Sequence, residues 1–151
     1  MDWDNDGIYD QFGITGSVTH DFGTAGTYTI RIQGDFPRIR FAESGEQRKI
    51  LSIDQWGEIG WDNMSEAFKD ASNFQINAID FPDLSNVTDM SHMFQNALVF
   101  NQPIDHWDVS NVTDMSHMFQ NALNFNQPID CLLYTSPSPR DQRGSRMPSS
   151  A

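Results

Sequence analysis

The segment Asp80 to Ile104 is written out again as Asp105 to Ile129. The two differ only at Phe81/His106, Pro82/Trp107, Leu84/Val109 and Val99/Asn124, so 21 of 25 positions are identical. A duplication of this length restricts the architecture more than any other feature of the chain. Units of roughly 20 to 50 residues rarely close a core of their own, so each buries its apolar face on its neighbours. The expectation is a stacked array that offers a surface, with no enclosed catalytic pocket. A third, degenerate copy precedes the pair: Met64-Ser65-Glu66-Ala67-Phe68 and Ala71 to Phe74 align with Met90 to Phe94 and Ala97 to Phe100 at an offset of 26. Ile79 aligns with Ile104 at an offset of 25, so the first copy carries one extra residue between Phe74 and Ile79. Three copies are about the minimum for a stable stack.

Within a copy, Val109 and Val112 suit a short strand. Met115, Met118, Phe119 and Ala122 follow a three-to-four spacing that suits a helical turn or two, ended by Pro128. Met, Phe and Ala at such spacing read as packing residues and not as a cofactor box. Upstream, Val18 to Gln33 reads as a β hairpin around the turn-forming Gly23-Thr24-Ala25-Gly26. Tyr28, Ile30 and Ile32 fall on the face expected to be buried. Lys49 to Ile53 supplies an apolar strand, and Trp56 is a candidate for burial in a cap that starts the stack.

Charge narrows the classes of partner. The formal charge is -12, and the last 21 residues carry Arg140, Arg143 and Arg146 against Asp141, which leaves about -14 on residues 1-130. No Lys or Arg occurs between Lys69 and Arg140. Binding nucleic acid or anionic lipid by neutralising phosphates is therefore excluded as a reading of the repeats. The single cysteine, Cys131, rules out an intrachain disulfide framework. No apolar run approaches the ~20 residues of a membrane span, so direct membrane insertion is not expected. The opening Met1-Asp2-Trp3-Asp4 is unlike a signal peptide, so for an exported protein the signal and the anchor are expected outside this sequence.

The string Trp107-Asp108-Val109-Ser110-Asn111-Val112-Thr113-Asp114-Met115-Ser116, continuing through Met118-Phe119, Ala122 and Phe125-Asn126-Gln127-Pro128-Ile129, resembles the BspA-like leucine-rich repeat of bacterial surface proteins. His20, Phe22, Gly26, Tyr28 and Ile30 resemble the closing strands of a PKD-type immunoglobulin-like domain, with Phe22 in place of the usual Tyr. In that repeat family a PKD-like domain often precedes an Ile-x-x-Trp-Gly segment, similar to Ile53-Asp54-Gln55-Trp56-Gly57. The resemblance covers about residues 18 to 130. It implies export, a cell-surface or extracellular location, and non-catalytic adhesion to or recognition of protein or glycan partners on host or neighbouring cells. Members usually carry more repeats, so the sequence reads as a fragment.

The expected organisation follows. Residues 1-36 form the C-terminal fragment of a PKD-like β domain, and 37-59 a connecting strand and solenoid cap. Residues 60-130 form about three tandem repeats in a leucine-rich-repeat-type solenoid of short parallel strands and helical turns. Residues 131-151 form a non-native or disordered tail: Cys131 to Asp141 has no repeat character and resembles translated adapter sequence.

Three constellations could carry chemistry. Asp2-x-Asp4-x-Asp6-Gly7 has the opening spacing of a calcium loop, but Gly13 stands where a bidentate Glu would close it, so an acidic turn is the better reading. His92 and His117 occupy equivalent positions, about one strand spacing (~4.8 Å) apart in parallel coils. Duplication alone produces such pairs, as it does Asp89 with Asp114 and Asn101 with Asn126, so no metal site is assigned. Asn63, Asn86 and Asn111 head glycosylation-type triplets, and their expected role is to bond neighbouring coils.

No nucleophile-base pair or phosphate-cradling loop stands out. Every candidate acid in the repeats is duplicated with its surroundings, whereas an active site needs unlike groups converging on one point. The expectation is a protein that is no enzyme and needs no cofactor. With Val109 and Val112 pointing inward, the expected exposed contacts are Trp107, Asp108, Ser110, Asn111, Thr113 and Asp114. The competing class is a structural spacer that projects another domain from the cell surface.

Overall fold

The structure, a computed structural model, describes residues 1-41, 45-129 and 132. Contacts divide the chain into Met1–Phe36 and Pro37–Ala151. Apart from Leu132, the segment 131-151 expected to be a foreign or disordered tail lies outside the described residues.

In Met1–Phe36 the organising group is Asp2. Its backbone forms an antiparallel bridge with Arg31, with the Asp2 amide donating to the Arg31 carbonyl at 2.9 Å and the reverse bond at 2.8 Å. Its carboxylate accepts the amides of Asn5 at 2.6 Å and Gly7 at 3.0 Å, and so ties down the acidic turn. Trp3 stacks on His20 with ring centroids 4.4 Å apart, and Phe22 stacks on Tyr28 at 4.1 Å. The expected hairpin does not form: among the described residues no strand lies between Val18 and Gln33, and Arg31 bridges to Asp2 instead. Tyr28 and Ile30 are 40% and 43% exposed, so the face expected to be buried is open. The alternation of side chains is present, but no neighbouring strand ladder uses the backbone groups that alternation requires.

In Pro37–Ala151 the described regular elements are a 3-10 helix, Glu46–Lys49, and two short parallel strands, β1 (Ser52–Ile53) and β2 (Gln75–Ile76). Their register pairs Ser52 with Gln75 and Ile53 with Ile76. This overturns the expected leucine-rich-repeat-type solenoid of short strands and helical turns. The reason lies in where the backbone donors go. The amides of Met64, Glu66, Phe68 and Asp70 donate to the carbonyls of Asp89, Ser91, Met93 and Gln95 at 2.8 to 3.1 Å. The next set, Met90, His92, Phe94 and Asn96, donates to Asp114, Ser116, Met118 and Gln120 at 2.8 to 2.9 Å. Alternate amides instead close turns within their own copy, Ala67 onto Met64, Lys69 onto Glu66 and Ala71 onto Phe68. An α-helix commits every interior amide to its own carbonyl four residues back, so sending every second donor to a neighbouring segment precludes one.

The turns demand left-handed residues. Glu66, Asp70, His92, Asn96, His117 and Asn121 have φ between 57° and 62°, two per copy and four residues apart. Each sits third in a turn such as Met64 to Ala67, where a type II turn places its positive-φ residue. A non-glycine residue there costs about 1–2 kcal/mol, and Asn and Asp tolerate it best. Neighbour bonding and packing offset that cost.

The core of this unit is aromatic. Phe68 stacks on Phe74, Phe94 on Phe100 and Phe119 on Phe125, each pair 4.0 to 4.1 Å apart and within 10° of parallel. Across copies, Phe68, Phe94 and Phe119 form one column with steps of 5.7 and 5.6 Å. Phe74, Phe100 and Phe125 form a second, with steps of 6.1 and 5.9 Å. Trp56 meets Trp61 and Trp107 edge-to-face at 5.9 and 5.7 Å and is buried, as is Trp107. The alignment of Ile79 with Ile104 does not carry into packing, since Ile79 is 96% exposed and Ile104 fully buried. The amides of Asn77 and Ala78 bond back to Ile53, which holds the chain here in a course the other copies lack.

Candidate functional site

The face to consider is the polar run of each copy, formed by Asp83, Ser85, Asn86 and Thr88 in one and by Asp108, Ser110, Asn111, Thr113 and Asp114 in the next. Val87, Val109 and Val112 are buried, so the apolar members of the run point inward. Asp108, Ser110, Asn111, Thr113 and Asp114 are all exposed, whereas Trp107, expected among them, is buried. Edge contact with Trp56 and a tilted contact with Phe94 at 6.3 Å hold the Trp107 ring in the core. A tryptophan beside a polar run reads from sequence as an exposed anchor. Here the neighbouring copies supply the apolar partners that bury it.

Much of the polar face is bound to itself. Asp83, Asp89, Asp108 and Asp114 each accept the amide of the serine two residues on, at 2.8 to 3.1 Å. The hydroxyl and amide of Ser85 hold the Asp83 carboxyl below the usual range, and those of Ser110 do the same for Asp108. The amide and hydroxyl of Ser116 lower Asp114, with further help from His92 and His117. Asn111 donates to the Ser85 carbonyl at 2.7 Å, and the Thr113 hydroxyl to the Thr88 carbonyl at 3.1 Å. Asp114 and Asp89 form a parallel bridge.

Side-chain ladders continue along the turns. Asn121 donates to Asn96 at 3.0 Å, Asn96 to Asp70 at 2.6 Å, and Gln95 to Gln120 at 2.7 Å. The amide of Asn126 donates to the Asn101 side chain at 2.8 Å. His92 and His117 are stacked with centroids 4.9 Å apart and planes 13° from parallel. His92 also contacts Gln95 at 3.0 Å. Asn63 accepts the Ser65 amide, so two of the three asparagines in glycosylation-type triplets have structural bonds. Near the first copy, Glu66 pairs with Lys69 at 3.0 Å and Arg40 at 3.1 Å. The hydrogen bond from Lys69 is the main cause of its lowered pKa.

In Met1–Phe36, Asp2, Asp4 and Asp10 bring one carboxylate oxygen each within 4.8 Å of the others, and these residues could hold a cation. Asp6 instead accepts the Ile8 amide at 2.7 Å. Burial raises the Asp2 pKa, but the amides of Gly7 and Asn5 outweigh it and leave the carboxyl lowered. Sequence reading weighed Asp4 and Asp6 with Asp2 and missed Asp10, which the Trp3 amide recruits at 2.8 Å. The left-handed positions were missed as well. Their available signal was the recurrence of polar, αL-tolerant residues four apart.

Residues 41–136 match the model of the family described as Mycoplasma protein of unknown function, DUF285. No curated protein and no solved structure matches the chain. Among the described residues, no helix is long and apolar enough to cross a membrane.

Proposed function

The chain belongs to that family, and we propose that it acts as a BspA-like repeat protein on the bacterial cell surface, recognising protein or glycan partners without catalysis. The observation that supports this most is the exposed run Asp108, Ser110, Asn111, Thr113 and Asp114, which has a near-identical counterpart in the adjoining copy. Two like patches side by side suit a partner that itself repeats, because a second engagement then occurs at high effective concentration. The second and third copies carry no Lys or Arg, so the face favours neutral or cationic partners over anionic ones. Immobilised chain, its fold checked by circular dichroism, should retain members of a glycan panel or matrix proteins. That retention should fall when Ser110 and Asp108 are replaced together by lysine. No retention by folded protein would remove the proposal.

A second reading is a structural spacer. It draws on the bonds from Asn111 to Ser85 and from Thr113 to Thr88, which employ the polar face in joining copies. Lysine at Asp108 and Ser110 would leave a spacer's role intact and would abolish a receptor's.

A further inference from the structure

Three of the four differences between the near-identical copies, Phe81/His106, Pro82/Trp107 and Leu84/Val109, fall within four residues of one another. In that stretch the buried Pro82, Leu84, Trp107 and Val109 alternate with the exposed Phe81, Asp83, His106 and Asp108. The Phe81 and His106 rings meet across the copies with centroids 4.4 Å apart. A few residues on, Asn111 reaches the Ser85 carbonyl at 2.7 Å. Asp83 and Asp108 lie between these two contacts, so their carboxylates face out side by side from adjacent copies, next to the ring pair.

Phe81 stays 57% exposed despite the His106 contact, and Ile79, two residues before it, is 96% exposed. The backbone holds this stretch in place: the Asp80 carboxylate, between the two, accepts the amides of Trp56 at 3.0 Å and Gly57 at 2.8 Å. Single exposed apolar residues are ordinary, but a group of them rimmed by charge marks a place for a partner.

We infer that Phe81 and His106 together with Asp83 and Asp108 dock an arginine of a basic protein segment, whose apolar neighbours cover Ile79. The inference rests on the reading of the polar face as a partner surface, and it narrows that partner to a protein. Charge complementarity identifies the occupant. Asp83, Asp105 and Asp108 are all exposed here, and no Lys or Arg occurs in the sequence between Lys69 and Arg140. Asp83 and Asp108 are fixed in orientation by the amides of Ser85 and Ser110 at 3.0 and 3.1 Å, and their lowered pKa values keep them ionised. A neutral sugar lying on the Phe81 ring would leave both negative charges uncompensated, whereas a cation answers them. Arginine answers them better than lysine, because a planar guanidinium stacks on an aromatic face while its edge N–H groups fork onto carboxylates.

The experiment titrates the full chain with a fluorescein-labelled peptide, Gly-Leu-Arg-Gly-Arg-Leu-Gly, read by anisotropy at about 150 mM salt to screen long-range attraction. Versions with lysine or glutamate in place of arginine are run beside it. Saturable binding of the arginine peptide is expected, weaker binding of the lysine peptide and none of the glutamate peptide. Phe81→Ser, and the double change Asp83→Asn with Asp108→Asn, should each weaken binding about fivefold or more, while Phe81→Tyr keeps it. Asp21→Asn with Asp35→Asn removes the same charge from exposed positions in Met1–Phe36 and should change little. Because all these side chains are exposed, the fold should persist, which circular dichroism checks. No saturable binding of the arginine peptide, equal binding of the lysine peptide, or equal weakening by the Asp21 and Asp35 pair would overturn the proposal. So would a glycan that the chain retains and that Phe81→Ser releases. Retention of glycans or matrix proteins that falls with lysine at Asp108 and Ser110 but ignores Phe81→Ser would overturn it too, and would leave the broader reading of the polar face standing.

Discussion

Replacing Phe94 with alanine removes the ring that both columns lean on. Phe94 lies 4.1 Å from Phe100, 5.7 Å from Phe68, 5.6 Å from Phe119 and 6.3 Å from Phe74 and Trp107, and it is fully buried. Truncating a buried phenylalanine costs about 3–5 kcal/mol through lost transfer energy and the cavity left behind. Phe119 has the same residues around it in sequence, but its aromatic neighbours are Phe94 at 5.6 Å and Phe125 at 4.0 Å, and it is only half-buried. Its truncation should cost about half as much, ~2 kcal/mol, because less apolar area leaves water when it packs. The identical local sequence makes the pair an internal control: propensity, turn chemistry and unfolded-chain effects cancel, and only the neighbours differ. Urea unfolding followed by tryptophan fluorescence measures both, since Trp107 and Trp56 sit in the same core. Equal losses for Phe94→Ala and Phe119→Ala would refute the view that each ring is stabilised by the copies on either side.

Asn96→Val should destabilise by ~2 kcal/mol or more in the same assay, because a β-branched residue resists a φ of 59° and the bonds to Asp70 and Asn121 are lost. Asn96→Gly should cost less, since it keeps the backbone conformation, and the reverse order would count against a left-handed turn there. Stability should also fall with acid. The folded pKa values of Asp83, Asp108 and Asp114 are lowered by their serine partners. Their contribution is therefore complete above the unfolded value of ~3.9 and drains away as pH falls through the lower folded values. The triple variant Asp83→Asn, Asp108→Asn, Asp114→Asn should have a flatter stability profile below about pH 4 than the parent, and an unchanged slope would contradict the assignment.

The pairing of equivalent residues could be read from the sequence because duplication is a statement about neighbours. His92 with His117, Asp89 with Asp114 and Asn101 with Asn126 do lie side by side. The inward direction of Val109 and Val112 and the burial of Trp56 were legible for the same reason, as apolar residues in a fixed frame. Helical turns were misread because Met115, Met118, Phe119 and Ala122 keep a helix-like spacing when chained turns carry them. Periodicity reports which face is apolar and not which carbonyl an amide chooses. Trp107 was misplaced because burial depends on Trp56, some fifty residues away along the chain, and no local pattern encodes that contact. In Met1–Phe36 the period-2 pattern of Tyr28, Ile30 and Ile32 failed because a strand needs a partner backbone, and Arg31 takes Asp2.

The first and second copies each send alternate amides to the copy that follows. Residue-resolved amide hydrogen exchange on the intact chain tests this directly. Strong protection is expected at Met90, His92, Phe94 and Asn96, and fast exchange at their sequence-identical counterparts Met115, His117, Phe119 and Asn121. Met118, Gln120 and Ala122, which bond within their own copy, should be slower than those counterparts. Equal protection of the two sets of four, or fast exchange at both, would contradict it.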